Sequence, residues 1–191
     1  MKQYLEQLIN QDYIVVFPGR FNPFHNGHLS IYRELIKKFG ANNVYIYTSD
    51  IVKKPKSPLN FEQKKYLISR IIPKDKIIKM TGSAYRIEDI VKDFNVDINT
   101  TKIIIALSEK DALRLIHSAK FKDATISITE MLPAKEYAYI FKIKSFMFGN
   151  IPLSASEIRN KIKNQEWDDI KDLVPYDITI LQKFEKQFQE E

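Results

Sequence analysis

Cysteine is absent from this chain of 191 residues, and its absence excludes disulfides, thiolate zinc sites and cysteine nucleophiles. No apolar run approaches the ~20 residues that a membrane-spanning helix needs. The first residues, Met1 to Glu6, have the features of neither a signal peptide nor a transit sequence. The sequence also lacks internal repeats and low-complexity segments. We therefore expect a cytoplasmic protein.

The length of the chain fits one domain, because a chain of this size buries roughly two thirds of its unfolded surface. No linker-like stretch divides it. We expect a single domain over residues 1–191, with a core at about 13–150 and a C-terminal helical part at 151–191. The sequence leaves open whether this domain forms a homo-oligomer.

Positive charge is in excess, with 30 basic and 24 acidic residues and a formal net charge of +6. Such a balance favours anionic ligands. Because the lysines are spread over the whole chain, it argues only weakly for nucleic acid. The densest cluster, Lys53-Lys54-Pro55-Lys56, is either a solvated loop or an electrostatic guide for a nucleotide.

Apolar periodicity predicts strands that alternate with helices. The predicted strands are 13–17, 44–48, 76–80, 102–107 and 124–129, and 137–148 is one more strand or a bent pair. The predicted helices are 1–11, 28–39, 61–72, 86–94, 111–118, 154–164 and 177–189. This alternation indicates an α/β fold: a Rossmann-like, doubly wound parallel sheet of about five strands, with the C-terminal helices packed beside it.

The loop between the first strand and the next helix carries the first candidate site, since α/β sheets bind ligands at the carboxyl ends of their strands. Gly19 permits a sharp turn and a close approach of the backbone to a ligand. His28 lies where the helix begins, and free N–H groups there favour an anion. His25 and His28 flank Gly27, and together with Arg20 they form a cradle for a polyphosphate.

Two other interpretations of the histidine pair are open. His25 and His28 have a spacing compatible with zinc, but the third histidine is His117 and there is no cysteine, so a three-nitrogen site is strained. Alternatively, the two imidazoles are structural and cap the turn.

The pattern Gly19-x-Phe21-x-Pro23-x-His25-x-Gly27-His28 resembles the first signature of the nucleotidylyltransferase superfamily of the HxGH type. Its Gly-Arg-Phe form is most similar to archaeal-type nicotinamide-mononucleotide adenylyltransferases and related phage nucleotidyltransferases. A second segment, Leu153 to Arg159, is similar to the family motif Ile-Ser-x-Thr-x-x-Arg. A weaker third resemblance covers Pro58 to Lys64, where the family often carries an arginine.

The second segment has a physical logic of its own. Ser154 is placed to cap a helix, and Ser156 lies in the first turn, where hydroxyl and N–H groups face anions. Arg159 lies one turn after Ser156 on the same helix face and can fork onto a phosphate. A plain capping box between Ser154 and Glu157 explains the same spacing, and both interpretations hold together.

The resemblance implies an enzyme of NAD biosynthesis that transfers AMP from ATP to a phosphate-bearing acceptor such as nicotinamide mononucleotide and releases pyrophosphate. Mg²⁺ is implied together with the nucleoside triphosphate, and no protein ligand for it is assigned. The implied catalytic residues are His25, His28 and Arg159. The implied nucleotide-binding residues are Gly19, Arg20, Phe21, Gly27, Ser154, Ser156 and Lys64.

Two alternatives remain at this stage. One is a cytidylyltransferase that uses CTP and an alcohol phosphate, although Asn22 stands where that branch commonly has Asp. The other is a non-catalytic nucleotide- or nucleic-acid-binding module on the same fold.

The sequence departs from the family where the acceptor and the base are recognised. Many adenylyltransferases end the fourth strand in Gly-x-Asp, and here it continues as 106–111, Ala-Leu-Ser-Glu-Lys-Asp. The only tryptophan, Trp167, falls in the C-terminal helices. Tyr85 is a candidate for stacking on the acceptor, and an ordinary loop aromatic is the competing interpretation.

Overall fold

The computed structural model describes residues 12–115, 117–144, 147–148 and 150–189. The predicted helix at 1–11 lies outside the described residues. The described chain divides into two compact units. The first unit holds residues 12–18, 35–47 and 80–144, and the second holds 19–34, 48–79 and the part that follows residue 144. The prediction of a single domain over 1–191 stays a prediction.

A six-stranded sheet has the strand order β3-β2-β1-β4-β6-β5. Its strands are β1 (Tyr13–Pro18), β2 (Val44–Ser49), β3 (Ile77–Met80), β4 (Lys102–Ser108), β5 (Phe121–Asp123) and β6 (Ala138–Ile143). In the first unit, Val15 pairs in parallel with Val44 and with Ile104, and Ile104 pairs with Tyr139. Two further strands, β7 (Met147–Phe148) and β8 (Ile151–Pro152), form an antiparallel pair. The predicted Rossmann-like α/β fold is confirmed.

The central strands form because their sequences are continuously apolar and β-branched. Ile14, Val15 and Val16 of β1 have no exposed surface, and neither does the run 103–105 of β4. Such runs suit strands that are covered on both faces, since there is no polar side to turn to water. The carboxyl end of β1 leads directly into the loop at residues 19–25.

The helices are α1 (Asn26–Phe39), α2 (Phe61–Ile68), α3 (Ile87–Phe94), α4 (Glu109–Ala112), α5 (Ala155–Lys163), α6 (Trp167–Ile170), α7 (Ile178–Gln182) and α8 (Glu185–Phe188). Asn60 caps α2, because its side chain accepts from Gln63 N–H and the Gln63 side chain accepts from Asn60 N–H. Within the described part of the chain, no helix is long and apolar enough to cross a membrane.

The predicted strand at 124–129 is wrong. The edge strand β5 ends at Asp123, and a short 3₁₀ turn follows at Ile128–Glu130. Ser127 caps this turn, since its hydroxyl accepts from Thr129 N–H and its own N–H donates to Glu130. Local side-chain bonds of this kind offer the backbone an alternative to a strand ladder.

Three predicted helices are shorter than expected. The helix predicted at 61–72 ends at Ile68, and i→i+3 bonds from Arg70 and Ile71 follow it. The helix predicted at 111–118 begins earlier, because Ser108 caps α4, and it ends at Ala112, where i→i+3 bonds from Arg114 and Leu115 tighten the chain into turns. The helix predicted at 177–189 is split into α7 and α8. Phe184 at the break lies with its ring edge-on to Tyr66, at 5.8 Å between centroids, so tertiary packing overrides helix propensity there.

Candidate functional site

Every residue that the sequence assigned to the site lies in the second unit. They come from three segments: the loop and first turn of α1 at 19–28, helix α2, and the start of α5.

Gly19 is required by the loop itself. A Cβ at Gly19 would lie 2.6 Å from Cζ of Phe21, closer than side-chain atoms approach each other. Phe21 is buried and has a φ of 47°, in the left-handed region. Its ring contacts Phe24 and His28, with centroids at 5.5 and 4.9 Å. Phe21 therefore shapes the loop from inside. Its assigned contact with a nucleotide stays a prediction.

His25 and His28 form a reciprocal pair across the first turn of α1. The N–H of His25 donates to Nδ1 of His28 at 3.2 Å, and the N–H of His28 donates to Nδ1 of His25 at 3.3 Å. The two rings stack with centroids 3.6 Å apart. Because both Nδ1 atoms accept hydrogen bonds, each neutral imidazole carries its proton on Nε2. The turn-capping role is thus present at Nδ1, while Nε2–H is the group suited to donate to a phosphate oxygen.

Burial keeps both imidazoles neutral. It lowers the pKa of His25 to about 3. Burial also lowers the pKa of His28 well below its ordinary value, and the proximity of His25 lowers it further. A charged imidazolium is disfavoured where water is excluded. Near neutral pH, this pair is therefore a set of neutral hydrogen-bond donors.

Two arginines supply positive charge to the same loop. Arg159 on α5 donates from Nη1 to the backbone carbonyl of Asn22 at 2.7 Å and from Nη2 to Ser156 Oγ at 2.9 Å. Burial lowers the pKa of Arg159, and the charge of Arg20 lowers it further, so the two like charges lie close together. In the described chain, neither guanidinium forms an ion pair with a carboxylate. Neighbouring cations without an acidic partner favour an anion.

Ser154 and Ser156 lie where the sequence placed them. Ser154 caps α5, its Oγ accepting from Glu157 N–H at 3.2 Å. Ser156 accepts from Arg159 and is exposed, as is Ser154. Gly27 is buried in the first turn of α1, and Arg20 is exposed. The structure therefore brings the second motif to the first through Arg159 and the carbonyl of Asn22.

Lys64 is buried on α2, with 1% of its surface exposed. Its ammonium donates to Thr48 Oγ1 at 3.1 Å and to the carbonyl of Ser49. Burial lowers the pKa of Lys64 to about 8, opposed in part by the charge of Asp50. Thr48 Oγ1 in turn lies 3.4 Å from the carbonyl of Arg20. Lys64 thus supports the Arg20 backbone through Thr48, and its assigned contact with a nucleotide stays a prediction.

The sequence reasoning missed two supports of the loop. Tyr176 is buried and donates its O–H to the carbonyl of Phe24 at 2.8 Å. Asn26 donates its N–H to the carbonyl of Leu173 and its amide to the carbonyl of Asp172, each at 2.8 Å.

The segment at 106–111 and Tyr85 lie in the first unit, whereas Trp167 begins α6 in the second. Ser108 Oγ bonds Asp111 at 2.9 Å, and Arg114 pairs with Asp111 at 3.0 Å. Tyr85 is partly exposed, and burial and the charge of Asp111 raise its pKa. Asp111 is therefore already engaged by neighbours of its own unit.

The arrangement in the second unit can hold a phosphate chain. Neutral Nε2–H donors and guanidinium groups are suited to stabilise a developing negative charge without a strong base or a nucleophile. In the part of the chain that the structure describes, no three His, Asp or Glu side chains lie together as a metal cage.

The family model described as cytidylyltransferase-like matches residues 16–188. The chain belongs to this family. The resemblance that the sequence motifs suggested is thus confirmed, and the cytidylyltransferase-like match takes in both motifs and the C-terminal helices.

Curated relatives have adenylyltransferase names. A Clostridium tetani protein named "Probable nicotinate-nucleotide adenylyltransferase" is 29% identical over 188 residues, covering 84% of this chain and 90% of that protein. A protein of the same name from Clostridium novyi is 28% identical over 184 residues, with the same shares covered. A phosphopantetheine adenylyltransferase from Mycoplasma mycoides is 30% identical over 98 residues, covering 50% of this chain and 54% of that protein.

Solved structures share the fold. Plasmodium falciparum nicotinic acid mononucleotide adenylyltransferase, complexed with APC, aligns with a TM-score of 0.59 and 16% identity over 95% of this chain and 100% of that one. Its complex with NaAD aligns with the same TM-score and shares and with 18% identity. At this identity the likeness concerns the fold, and the substrates of this chain must be argued from its own site.

Proposed function

We propose that this protein is an adenylyltransferase that transfers AMP from ATP to a nucleotide-like phosphate, with nicotinic acid or nicotinamide mononucleotide as the favoured acceptor. The names of the full-length relatives support ATP and a pyridine mononucleotide. A cytoplasmic location, predicted from the sequence, suits an enzyme that uses these metabolites.

The reaction needs one displacement. A phosphate oxygen of the acceptor attacks the α-phosphorus of ATP and forms a new P–O bond. The bond from the α-phosphorus to the oxygen that bridges it to the β-phosphorus breaks, and its electron pair leaves with pyrophosphate. Because the attacking phosphate is already an anion, no general base is required. The protein must align the two reactants and stabilise the charge that passes to pyrophosphate.

The residues of the second unit divide this work. His25 and His28 donate from Nε2–H to phosphate oxygens near the reacting phosphorus. Arg159 forks onto the outer phosphates from α5, with Ser154 and Ser156 beside it, and Arg20 adds its charge. If Mg²⁺ is bound with ATP, it would neutralise part of the triphosphate charge, and no side chain of this unit is assigned to hold it. Lys64, Gly19 and Phe21 hold the loop that makes these contacts.

One observation carries the proposal. Arg159 is half-buried, fixed at two of its nitrogens and close to the charge of Arg20, while neither pairs with a carboxylate in the described chain. Two neighbouring like charges without an acidic partner favour an anion that binds near both. A polyphosphate held by the family's two motifs satisfies both charges.

A substrate matrix tests the proposal. Purified protein is incubated with Mg-ATP or Mg-CTP and, in turn, nicotinic acid mononucleotide, nicotinamide mononucleotide, phosphopantetheine and an alcohol phosphate, and pyrophosphate release is measured. We expect release with ATP and a pyridine mononucleotide. Release with phosphopantetheine would identify that compound as the acceptor instead, and release with CTP alone would identify CTP as the donor. A folded protein that releases no pyrophosphate with any pair contradicts the proposal.

A further inference from the structure

We propose that Asn22 is a positioning residue, which holds the guanidinium of Arg159 where the phosphates bind. This inference rests on the proposed function for its ligand and on the hydrogen bonds of the second unit for its geometry. Asn22 lies between the two family motifs in space, although it belongs to the unspecified positions of the first one.

The side chain of Asn22 uses both ends of its amide. Its Nδ2 donates to the carbonyl of Arg20 at 2.8 Å, and its Oδ1 accepts from the N–H of Leu59 at 2.8 Å. Only 1% of Asn22 is exposed. Buried polar groups need partners, and these two bonds are strengthened by the exclusion of water. The amide thereby ties the loop to the segment that opens α2.

The backbone of Asn22 makes the third connection. Its carbonyl accepts from Arg159 Nη1 at 2.7 Å, while Arg159 Nη2 is fixed by Ser156 Oγ. A guanidinium is planar, so two fixed nitrogens set the direction in which its remaining N–H groups point. The place of that carbonyl is determined by the side-chain bonds of the same residue. Asn22 therefore sets the aim of Arg159 without touching the substrate.

In this chain the side chain of residue 22 both donates and accepts. Asn22→Asp would retain the acceptor for Leu59 but would direct a second carboxylate oxygen at the carbonyl of Arg20, and two acceptors repel. Asn22→Ser retains only one hydroxyl, which can serve one of the two partners. Both variants therefore loosen the loop, the first with an added charge and the second without one.

Positioning and plain structural support differ in what they change. A structural role alone would lower stability and leave the affinity for phosphates unchanged in protein that is still folded. A positioning role lowers that affinity, and it does so through Arg159. The effect of changing Asn22 must then shrink once Arg159 has lost its fork, as in Arg159→Lys, which retains the charge but not the planar geometry.

The experiment compares six proteins: wild type, Asn22→Asp, Asn22→Ser, Arg159→Lys, the Asn22→Ser/Arg159→Lys double variant, and Asn43→Ala. Asn43 is the matched control, because its amide donates to a backbone carbonyl, that of Phe39, in the first unit. The affinity for inorganic pyrophosphate is measured by calorimetry at a temperature where circular dichroism shows each protein folded. Pyrophosphate release with the best substrate pair is measured in parallel.

We expect both Asn22 variants to weaken pyrophosphate binding by about tenfold, the loss typical of a misplaced charge-assisted hydrogen bond. Asn43→Ala should bind as the wild type does. In the Arg159→Lys background, Asn22→Ser should cost less than about threefold. If Asn22→Asp does not fold, Asn22→Ser carries the test, since it adds no charge.

Two results would overturn the inference. One is wild-type affinity in folded Asn22 variants, and the other is a loss that multiplies in full with that of Arg159→Lys. The proposed function fails separately: a wild type that binds pyrophosphate, loses it on Asn22 substitution and yet releases none from any substrate pair retains the positioning role without the reaction. A wild type with no affinity for pyrophosphate contradicts both.

Discussion

Strands β1 and β4 and most of the loop at 19–28 are buried, but the strands bury apolar side chains and the loop buries polar ones. The side chains of Ile14, Val15 and Val16 in β1 have no polar atoms that need hydrogen-bond partners. Those of Asn22, His25 and His28 remove polar atoms from water. Tyrosines apart, six of the seven buried polar side chains of the described chain lie in the second unit: Asn22, His25, His28, Thr48, Ser57 and Lys64. The seventh, Thr101, lies in the first.

This difference separates residues that make the fold from residues that make the site. An apolar core is stabilised by area removed from water. A buried polar group is tolerated only when it is bonded, and Asn22, His25, His28, Thr48 and Lys64 all have partners within the second unit. Such a concentration of costly groups is expected where a function requires them. Changes in the second unit should therefore affect activity, and those in the first unit stability.

The largest effect is expected from His28→Ala. Because His28 Nε2–H is assigned to the developing charge, turnover should fall by about 10²–10³-fold while KM changes little. The check is steady-state kinetics on folded protein, with the exposed His117→Ala as the matched control. A raised KM with unchanged turnover at saturation would mean that His28 serves binding alone.

Arg159→Gln should have the second largest effect on activity. It removes the fork onto the outer phosphates, so kcat/KM should fall by roughly 10²-fold, with part of the loss in KM. Arg33→Gln, an exposed arginine of α1, is the matched control and should be silent. Equal losses in the two variants would show a general effect of net charge rather than a site.

The pH dependence of stability should reveal the buried histidine pair. The pKa of His25 is about 3 in the folded protein and about 6.5 in an unfolded chain, so below pH 6.5 the unfolded state binds the proton first. Stability should be full above pH 6.5 and fall by up to ~1.4 kcal/mol per pH unit for each such histidine as the pH drops toward 3. Denaturant unfolding at pH 7.5, 6.5 and 5.5 measures this slope.

The matched variants of this titration are a His25→Gln/His28→Gln pair and His117→Gln. The first should flatten the slope, and the second should leave it as in the wild type. A slope that persists without His25 and His28 would assign it to carboxylates instead.

Thr48→Val should lower the free energy of unfolding by about 1–3 kcal/mol. Its Oγ1 accepts from Lys64 and donates to the carbonyl of Arg20, so the isosteric valine leaves a buried ammonium with fewer partners. Chemical denaturation and kcat/KM should both change. If stability falls while activity is retained in full, the hydrogen bonds of Thr48 with Lys64 and Arg20 do not support the site.

Thr101→Val should have the smallest effect and the opposite sign. Thr101 Oγ1 is buried and has no hydrogen-bond partner among the described atoms. Replacing it with a methyl group should raise the free energy of unfolding by about 1 kcal/mol and leave activity unchanged. A lower free energy of unfolding in Thr101→Val would contradict the expected contrast between the two units, in which this unbonded hydroxyl of the first unit only costs stability.

The central strands of the sheet were predictable because their apolar residues follow one another without a polar face, as in strands that are buried on both sides. The runs at 13–17 and 103–107 are continuously apolar, and they lie in β1 and β4. The edge strand was misplaced, since the alternation at 124–129 competes with the local bonds of Ser127. Short C-terminal helices were merged because packing of Phe184 on Tyr66, a contact 118 residues apart in sequence, leaves no periodic signal.

The candidate site was predictable where motif and local physics agree. His25, His28, Ser156 and Arg159 lie in segments that helix capping and anion binding explain without a structure. Asn22 and Tyr176 could not be found in this way. Their partners, Leu59, Arg159 and Phe24, are distant in sequence, so their roles depend on tertiary hydrogen bonds.

The most direct test of adenylyl transfer is the fate of the α-phosphorus. The protein is incubated with nicotinic acid or nicotinamide mononucleotide and ATP labelled at either the α- or the γ-phosphorus, and the products are separated. The account predicts that α-label enters the dinucleotide and γ-label enters pyrophosphate, in equal molar amounts. Label from the α-position left in free AMP or ADP, with no dinucleotide formed, would contradict it.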